Sequence, residues 1–188
     1  MIELAAVFWI FVMMFGIIGL MRGWTKEILV TASIILALFI MEELGTYIFD
    51  VMVRTTDPAQ IATDPNAPLR RLVMLRASVL LIVTFFGYQG PTMVHFATRG
   101  RVKPRPGESL QEGLLGLMIG GVNGYLVVGT LWYYLQIHNY PFRWVTAPLT
   151  GTLSLEYLRF LPMQWMSQGP VLTVLVVVFF LFVIIAVI

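Results

Sequence analysis

The stretch LAAVFWIFVMMFGIIGLM, from Leu4 to Met21, contains no Asp, Glu, Lys or Arg and decides the class of fold. A helix needs about 20 predominantly apolar residues to cross a hydrocarbon core of about 30 Å. Glu3 is the only charged residue before the run, where a secretory signal would be basic, and the run ends at Arg22-Gly23 rather than at a small-residue cleavage site. The pattern therefore predicts a retained membrane-spanning helix.

The composition extends this interpretation to the whole chain. Its 188 residues are 59% hydrophobic and only 12% charged, whereas about a quarter of the residues in a soluble domain are charged. This number of charged residues is too small to cover the surface of a water-soluble domain. The surrounding medium must therefore be lipid. The net charge of +2 is small and the basic residues are dispersed, which disfavours a nucleic-acid partner. The chain has no cysteine, which excludes disulfides and thiolate metal sites.

Further uncharged stretches predict an all-α bundle of about five spans in one membrane domain, residues 1–188. The second stretch, Ile28 to Met41, is the shortest, because it provides only about 21 Å of helix. Either Glu42 and Glu43 lie at a membrane surface or the segment is re-entrant, and we favour the full span. An aromatic segment over residues 152–167 is expected along the outer interface. The predicted spans are residues 4–21, 28–48, 77–98, 113–135 and 170–188.

The predicted loops differ in their density of positive charge. Loop one carries Arg22 and Lys26, and the short loop three carries the basic residues between Arg99 and Arg105. The opposite side has as many basic residues, but they are spread over longer loops that also hold Asp and Glu. Because short cytoplasmic loops carry the excess of Lys and Arg, we expect loops one and three inside, the N-terminus outside and the C-terminus inside.

Glycines recur at helical spacing in the first and fourth predicted spans. Small residues let helix backbones approach closely, which is a main source of helix association in lipid. We interpret the two sets as packing seams, with a solute path as the alternative, and we expect Val127 on the fourth span to face lipid. The glycines are Gly16, Gly19 and Gly23 in the first set, and Gly116, Gly120 and Gly124 in the second.

Three polar residues accompany the glycines. Arg22 and Glu27 are expected in the first cytoplasmic turn, as a structural pair that ties the first two helices together, because no nucleophile or metal-ligand cluster lies nearby in the sequence. Asn123 falls inside the fourth span, where an unpaired amide in lipid costs a few kcal/mol. We therefore expect Asn123 to face another helix and to form an interhelical hydrogen bond. The alternative is that Asn123 binds an ion or a solute.

The segment Gly19-Leu20-Met21-Arg22-Gly23-Trp24-Thr25-Lys26-Glu27 resembles the Arg-Gly-x-x-x-Glu signature of the colicin V production protein (CvpA) family. Leu115-Gly116, Gly120 and Asn123-Gly124 are similar to the second glycine-rich helix of that family, although arginine often stands in the place of Asn123 and an upstream aspartate and arginine are missing. The resemblance covers roughly residues 4–135 and leaves the fifth span outside. It implies a bacterial inner-membrane protein linked to colicin production and envelope upkeep, with no defined biochemical activity.

Residues that carry chemistry are few. His95 and His138 are predicted on opposite sides of the membrane, so they cannot share one haem. A lone His95 could hold a pigment or haem, but we expect a structural role, and we predict no cofactor and no metal. The sequence contains no HExxH, GxSxG, Walker or dinucleotide-binding motif, so we expect no enzymatic activity.

Two functions remain. The first is a non-catalytic scaffold or accessory subunit that packs laterally against lipid, itself or other membrane subunits, within an energy-transducing or envelope complex. The second is a channel or transporter component for a small solute. Ion-coupled carriers usually place ionisable residues in mid-span, and the predicted spans lack them, although Asn, Thr and broken-helix carbonyls also bind ions.

Single cysteines test the topology, because the chain has none of its own. We expect Pro65→Cys to react with a membrane-impermeant thiol reagent applied to intact cells, and Lys103→Cys to react only after the cells are opened. The unsubstituted protein is the control for background labelling. If Lys103→Cys is labelled in intact cells and Pro65→Cys is spared, the topology is reversed.

Overall fold

The computed structural model describes residues 3–97 and 110–187, apart from the side chains of residues 46, 58, 60, 91–97, 182, 183, 186 and 187. Every regular element in these ranges is a helix, which confirms the predicted all-α class. The elements are α1 (Leu4–Arg22), α2 (Trp24–Thr55), α3 (Pro58–Thr63), α4 (Ala67–Ala97), α5 (Leu110–Ile137), α6 (Leu153–Tyr157), a 3-10 turn (Leu158–Phe160), α7 (Pro162–Met166) and α8 (Val171–Val187).

Three of the described helices are long and apolar enough to cross a membrane, namely Leu4–Arg22, Trp24–Gly45 and Leu110–Ile137. A fourth candidate joins Leu153–Met166 to Val171–Leu181 across a bend of 63°. An all-helical membrane protein is therefore confirmed. The count of five stays a prediction, because the predicted third span ends beyond the described part of α4.

Helix boundaries differ from the predicted loops at two places. α2 begins at Trp24, so Lys26 lies in the helix and only Gly23 separates α1 from α2. Gly23 has a φ of +81°, which glycine adopts without the steric cost of a Cβ atom, and this allows the chain to turn within one residue. α4 begins at Ala67, ten residues before the predicted span, because Asp64 accepts the Asn66 amide and pairs with Arg70 to fix the helix start.

The glycine-rich faces of α1 and α5 lie against each other. A Cβ atom placed on Gly19 would lie 2.1 Å from the carbonyl oxygen of Gly116, and one on Gly120 would lie 2.5 Å from that of Phe15. Both distances are shorter than any side chain allows, so the two backbones are in direct contact. Gly16 and Gly124 extend the same seam, and the buried Gly23 meets it through its backbone, since a Cβ atom on Gly116 would lie 3.1 Å from the carbonyl carbon of Gly23.

The second layer of the bundle packs around α2. Its core joins Val30 and Leu38 of α2 to Leu80 of α4 and Val127 of α5. Val127 is 2% exposed, so the expectation that it faces lipid is wrong. The reason is that α2 covers this face of α5 while α1 covers the neighbouring glycine face. The part of α5 that faces lipid is therefore narrower than it would be if only α1 packed against this helix.

The aromatic segment over residues 152–167 folds into α6, the 3-10 turn and α7. Its aliphatic residues Leu161 and Met163 are buried, whereas Phe160 and Trp165 are exposed. The Ala5 amide donates a hydrogen bond to the Ser154 hydroxyl at 3.1 Å, which fastens α6 to the start of α1. This segment therefore closes one end of the bundle as well as presenting aromatic side chains outward.

Adjacent glycines on α5 provide a matched test of the seam. Gly120→Leu should lower the free energy of unfolding by about 3 kcal/mol, the upper end of typical overpacking, because the new side chain meets backbone that cannot yield. Gly121→Leu is the control, since a Cβ atom there meets nothing within 4 Å. The measurement is thermal or denaturant unfolding in mild detergent. Equal stability of Gly120→Leu and Gly121→Leu would contradict the described contact.

Candidate functional site

Glu27 is the centre of a polar cluster inside the bundle. It lies in the first turn of α2 and is 0% exposed. The sequence-based interpretation placed it in a surface turn, where its charge would stay hydrated. In the structure α1, α4 and α5 surround it, because α2 begins four residues earlier than predicted and brings the side chain within the bundle.

One oxygen of the Glu27 carboxylate faces Arg22 at the end of α1. Arg22 Nε lies 3.4 Å from Glu27 Oε1, and the Arg22 side chain is 21% exposed. The guanidinium also donates a hydrogen bond to the Tyr88 carbonyl oxygen at 2.9 Å and lies 4.5 Å from the centre of the Tyr88 ring. Arg22 thus connects α1 with both α2 and α4.

The other carboxylate oxygen accepts two hydrogen bonds. Tyr88 on α4 donates its hydroxyl to Glu27 Oε2 at 3.1 Å, and Asn123 on α5 donates its amide at 2.9 Å. The same Asn123 nitrogen lies 3.1 Å from the Glu27 carbonyl oxygen. Glu27 is therefore held by α1 through charge and by α4 and α5 through hydrogen bonds.

Thr31 completes the cluster one turn further along α2. Its hydroxyl oxygen lies 2.7 Å from Asn123 Oδ1 and 3.0 Å from the Glu27 carbonyl oxygen, so its single proton goes to one of two acceptors. Both ends of the Asn123 amide consequently have partners on α2. Asn123 is 0% exposed and faces a neighbouring helix, where the cost of an unpaired amide is avoided.

The geometry is that of a structural clamp. A buried ion pair loses the hydration of both charges, so its net contribution to the stability of the fold is small. Removal of one partner, however, leaves the other charge buried and unpaired, which is strongly destabilising. None of the cluster's side chains forms a nucleophile and base pair, and no group of three or more His, Asp or Glu within the described residues could hold a metal ion.

Sequence reasoning missed two members of the clamp. Thr31 stands four residues after Glu27, so helical spacing alone could have placed both on one face of α2. Tyr88 offered no such signal, because its position depends on how α4 packs against α2. The functional importance of the predicted glycines, Arg22, Glu27 and Asn123 stays a prediction.

The two histidines are the candidate ligands for a haem or pigment. His138 is half-buried just beyond the end of α5, and burial, followed by the nearby positive charge of Arg76, lowers the pKa of its imidazole. His95 belongs to α4, but its side chain lies outside the described residues. The expectation that no cofactor binds there stays a prediction.

Removal of the central carboxylate should destabilise the bundle. We expect Glu27→Ala to lower the free energy of unfolding by about 3 kcal/mol, the lower end for breaking a buried pair, because Arg22 retains some contact with solvent. Tyr88→Phe, which loses one hydrogen bond and keeps the ring, should cost about 1 kcal/mol.

The matched control is Glu43→Ala, which removes an exposed carboxylate from the same helix and should leave stability unchanged. The measurement is denaturant unfolding in detergent micelles, followed by circular dichroism. If Glu27→Ala is as stable as Glu43→Ala, the clamp does not hold the helices together.

Comparison with known proteins gives one result. The model of the family described as colicin V production protein matches residues 4–159. This confirms the resemblance inferred from the Arg22 to Glu27 segment, and it extends past residue 135 into the segment that closes the bundle. No curated protein and no solved structure matches the chain. With the match covering most of its length, the chain belongs to the colicin V production protein family.

Proposed function

We propose that this protein is a non-catalytic scaffold or accessory subunit of the bacterial inner membrane that holds other membrane subunits by lateral helix contact. The observation that supports this proposal is the closed clamp around Glu27. Each side chain of the clamp contacts another within the chain, although Glu27 Oε1 has only the ion pair with Arg22 and accepts no hydrogen bond. Such an arrangement suits a rigid bundle rather than a binding or reaction centre.

The glycine seam cannot serve as the partner surface, because α1 and α5 use it on each other. The outer faces of these helices remain. Gly121 lies on that side of α5 with open space around it, and Met118 and Val122 beside it are 68% and 49% exposed. Ile17 and Met13 on α1 are also exposed. A small residue among flexible methionines suits close approach by a partner's transmembrane helix.

A transporter or channel component is the second candidate, and one observation favours it. Glu27 is an ionisable residue inside a candidate span, Trp24–Gly45, and such residues often mark ion or proton paths. Against this, Glu27 Oε2 accepts hydrogen bonds from Tyr88 and Asn123, and Oε1 lies in an ion pair with Arg22, although it accepts no hydrogen bond. A carrier would have to break these contacts in each cycle.

Purification from native membranes in mild detergent, followed by identification of co-purifying proteins, tests the proposal. We expect a stable complex that contains other membrane subunits. Gly121→Leu fills the open position without disturbing the bundle and should release those subunits, whereas Val178→Phe, which also adds four carbon atoms but on the exposed face of α8, should retain them.

Reconstitution into liposomes separates the two candidates. The scaffold proposal predicts no ion or proton flux from the purified protein. A flux that Glu27→Gln abolishes, together with purification as a homogeneous small oligomer without other subunits, would contradict the scaffold and establish the transporter.

A further inference from the structure

An apolar groove of about 730 Å³ lies between α2, α4 and α8. Its walls include Leu29 and Leu36 of α2, Phe86 and Gly90 of α4, and Phe179 of α8. Leu29 and Phe86 are 39% and 63% exposed, so the groove opens sideways toward the bilayer rather than into the core. In a membrane such a space is filled by hydrocarbon, either from a lipid or from another helix.

The extent of the groove along α2 favours a lipid chain. Leu29 and Leu36 are seven residues apart, which corresponds to about 10 Å of helix. That is less than half of a hydrocarbon core of about 30 Å, and Leu29 lies only five residues after the start of α2, so the groove fits within one leaflet. A partner helix packs along both leaflets, whereas an acyl chain occupies only one. Gly90 leaves additional room, because a Cβ atom there would meet no atom of the described residues within 4 Å.

A positive charge stands at the end of the groove. Lys26, Leu29, Ser33 and Leu36 follow one another at spacings of three or four residues, so they share one face of α2. Side chains on a helix lean toward its N-terminus, and a lysine stem covers apolar surface while its ammonium reaches the interface. We therefore expect the exposed Lys26 side chain, one turn before the groove, to extend toward the membrane surface, where lipid phosphates lie.

The neighbouring cation, Arg22, has other contacts. It pairs with Glu27 and binds the Tyr88 carbonyl group, so its charge is largely satisfied within the bundle. Lys26 thus supplies charge complementarity for an anionic headgroup directly above an acyl-chain groove.

We propose that this groove binds an acyl chain of an anionic phospholipid in the leaflet on the Lys26 side, with Lys26 facing the phosphate. The proposal concerns α2, α4 and α8 and does not depend on the scaffold function. The lipid would fill the space between these three helices and so complete their packing.

Native mass spectrometry of the protein taken from vesicles of equal phosphatidylglycerol and phosphatidylcholine tests the proposal. We expect the full chain to retain phosphatidylglycerol preferentially. Lys26→Gln should reduce that preference about fivefold, as expected for one Lys near an anionic surface, whereas Arg54→Gln, an exposed cation at the other end of α2, should not.

Filling the groove gives an independent test. Leu36→Trp should lower retention of both lipids, while Leu44→Trp, the same change at an exposed position of α2 outside the groove, should retain them. Equal thermal stability of the two variants shows that the fold is intact. Three outcomes would each overturn the proposal. Leu36→Trp could retain as much lipid as Leu44→Trp, or the unsubstituted protein could show no lipid preference. The third outcome is a dimer that Leu36→Trp disrupts without any loss of lipid.

Discussion

A carboxylate removed from water must find partners inside the protein, and the bundle depends on this constraint at Glu27. The ion pair with Arg22 balances its charge, and hydrogen bonds from Tyr88 and Asn123 satisfy its second oxygen. These partners come from α1, α4 and α5, so a single side chain on α2 fixes the position of three other helices. Among residues 3–97 and 110–187, the other side-chain hydrogen bonds described between elements lie mostly near the helix ends, such as that from Ala5 to Ser154 and that from Tyr125 to Phe160.

The glycine seam and the clamp complement each other. Backbone contact between α1 and α5 is tight, but dispersion contacts alone tolerate a shift along the helix axis. Gly19 is three residues from Arg22, and Gly120 is three residues from Asn123, so each glycine stands one turn from a clamp residue. Close approach at the seam brings the polar groups into reach, and the polar groups select one register. A bundle with both features suits a rigid support more than a carrier that must rearrange.

Much of this architecture follows from the sequence, and the rest depends on tertiary contacts. Uncharged runs predicted the all-helical membrane class, and the polarity of Asn123 predicted that it would face a helix. The burial of Glu27 was missed, because it requires α2 to begin directly after Gly23 and α4 to cover the first turn. Tyr88 and Val127 were missed for the same reason, since helical periodicity gives the faces of one helix but not which neighbour covers each face.

The central claim, that Glu27 couples the helices through its partners, is tested most directly by a double-mutant cycle between Arg22→Gln and Glu27→Gln in denaturant unfolding. The account predicts that the double variant is more stable than the summed single effects by about 1 kcal/mol, within the range for residues in contact. Arg54→Gln with Glu27→Gln is the control pair, because Arg54 lies about 40 Å further along α2, and its effect should be additive. Additivity of Arg22→Gln and Glu27→Gln to within about 0.4 kcal/mol would contradict the account.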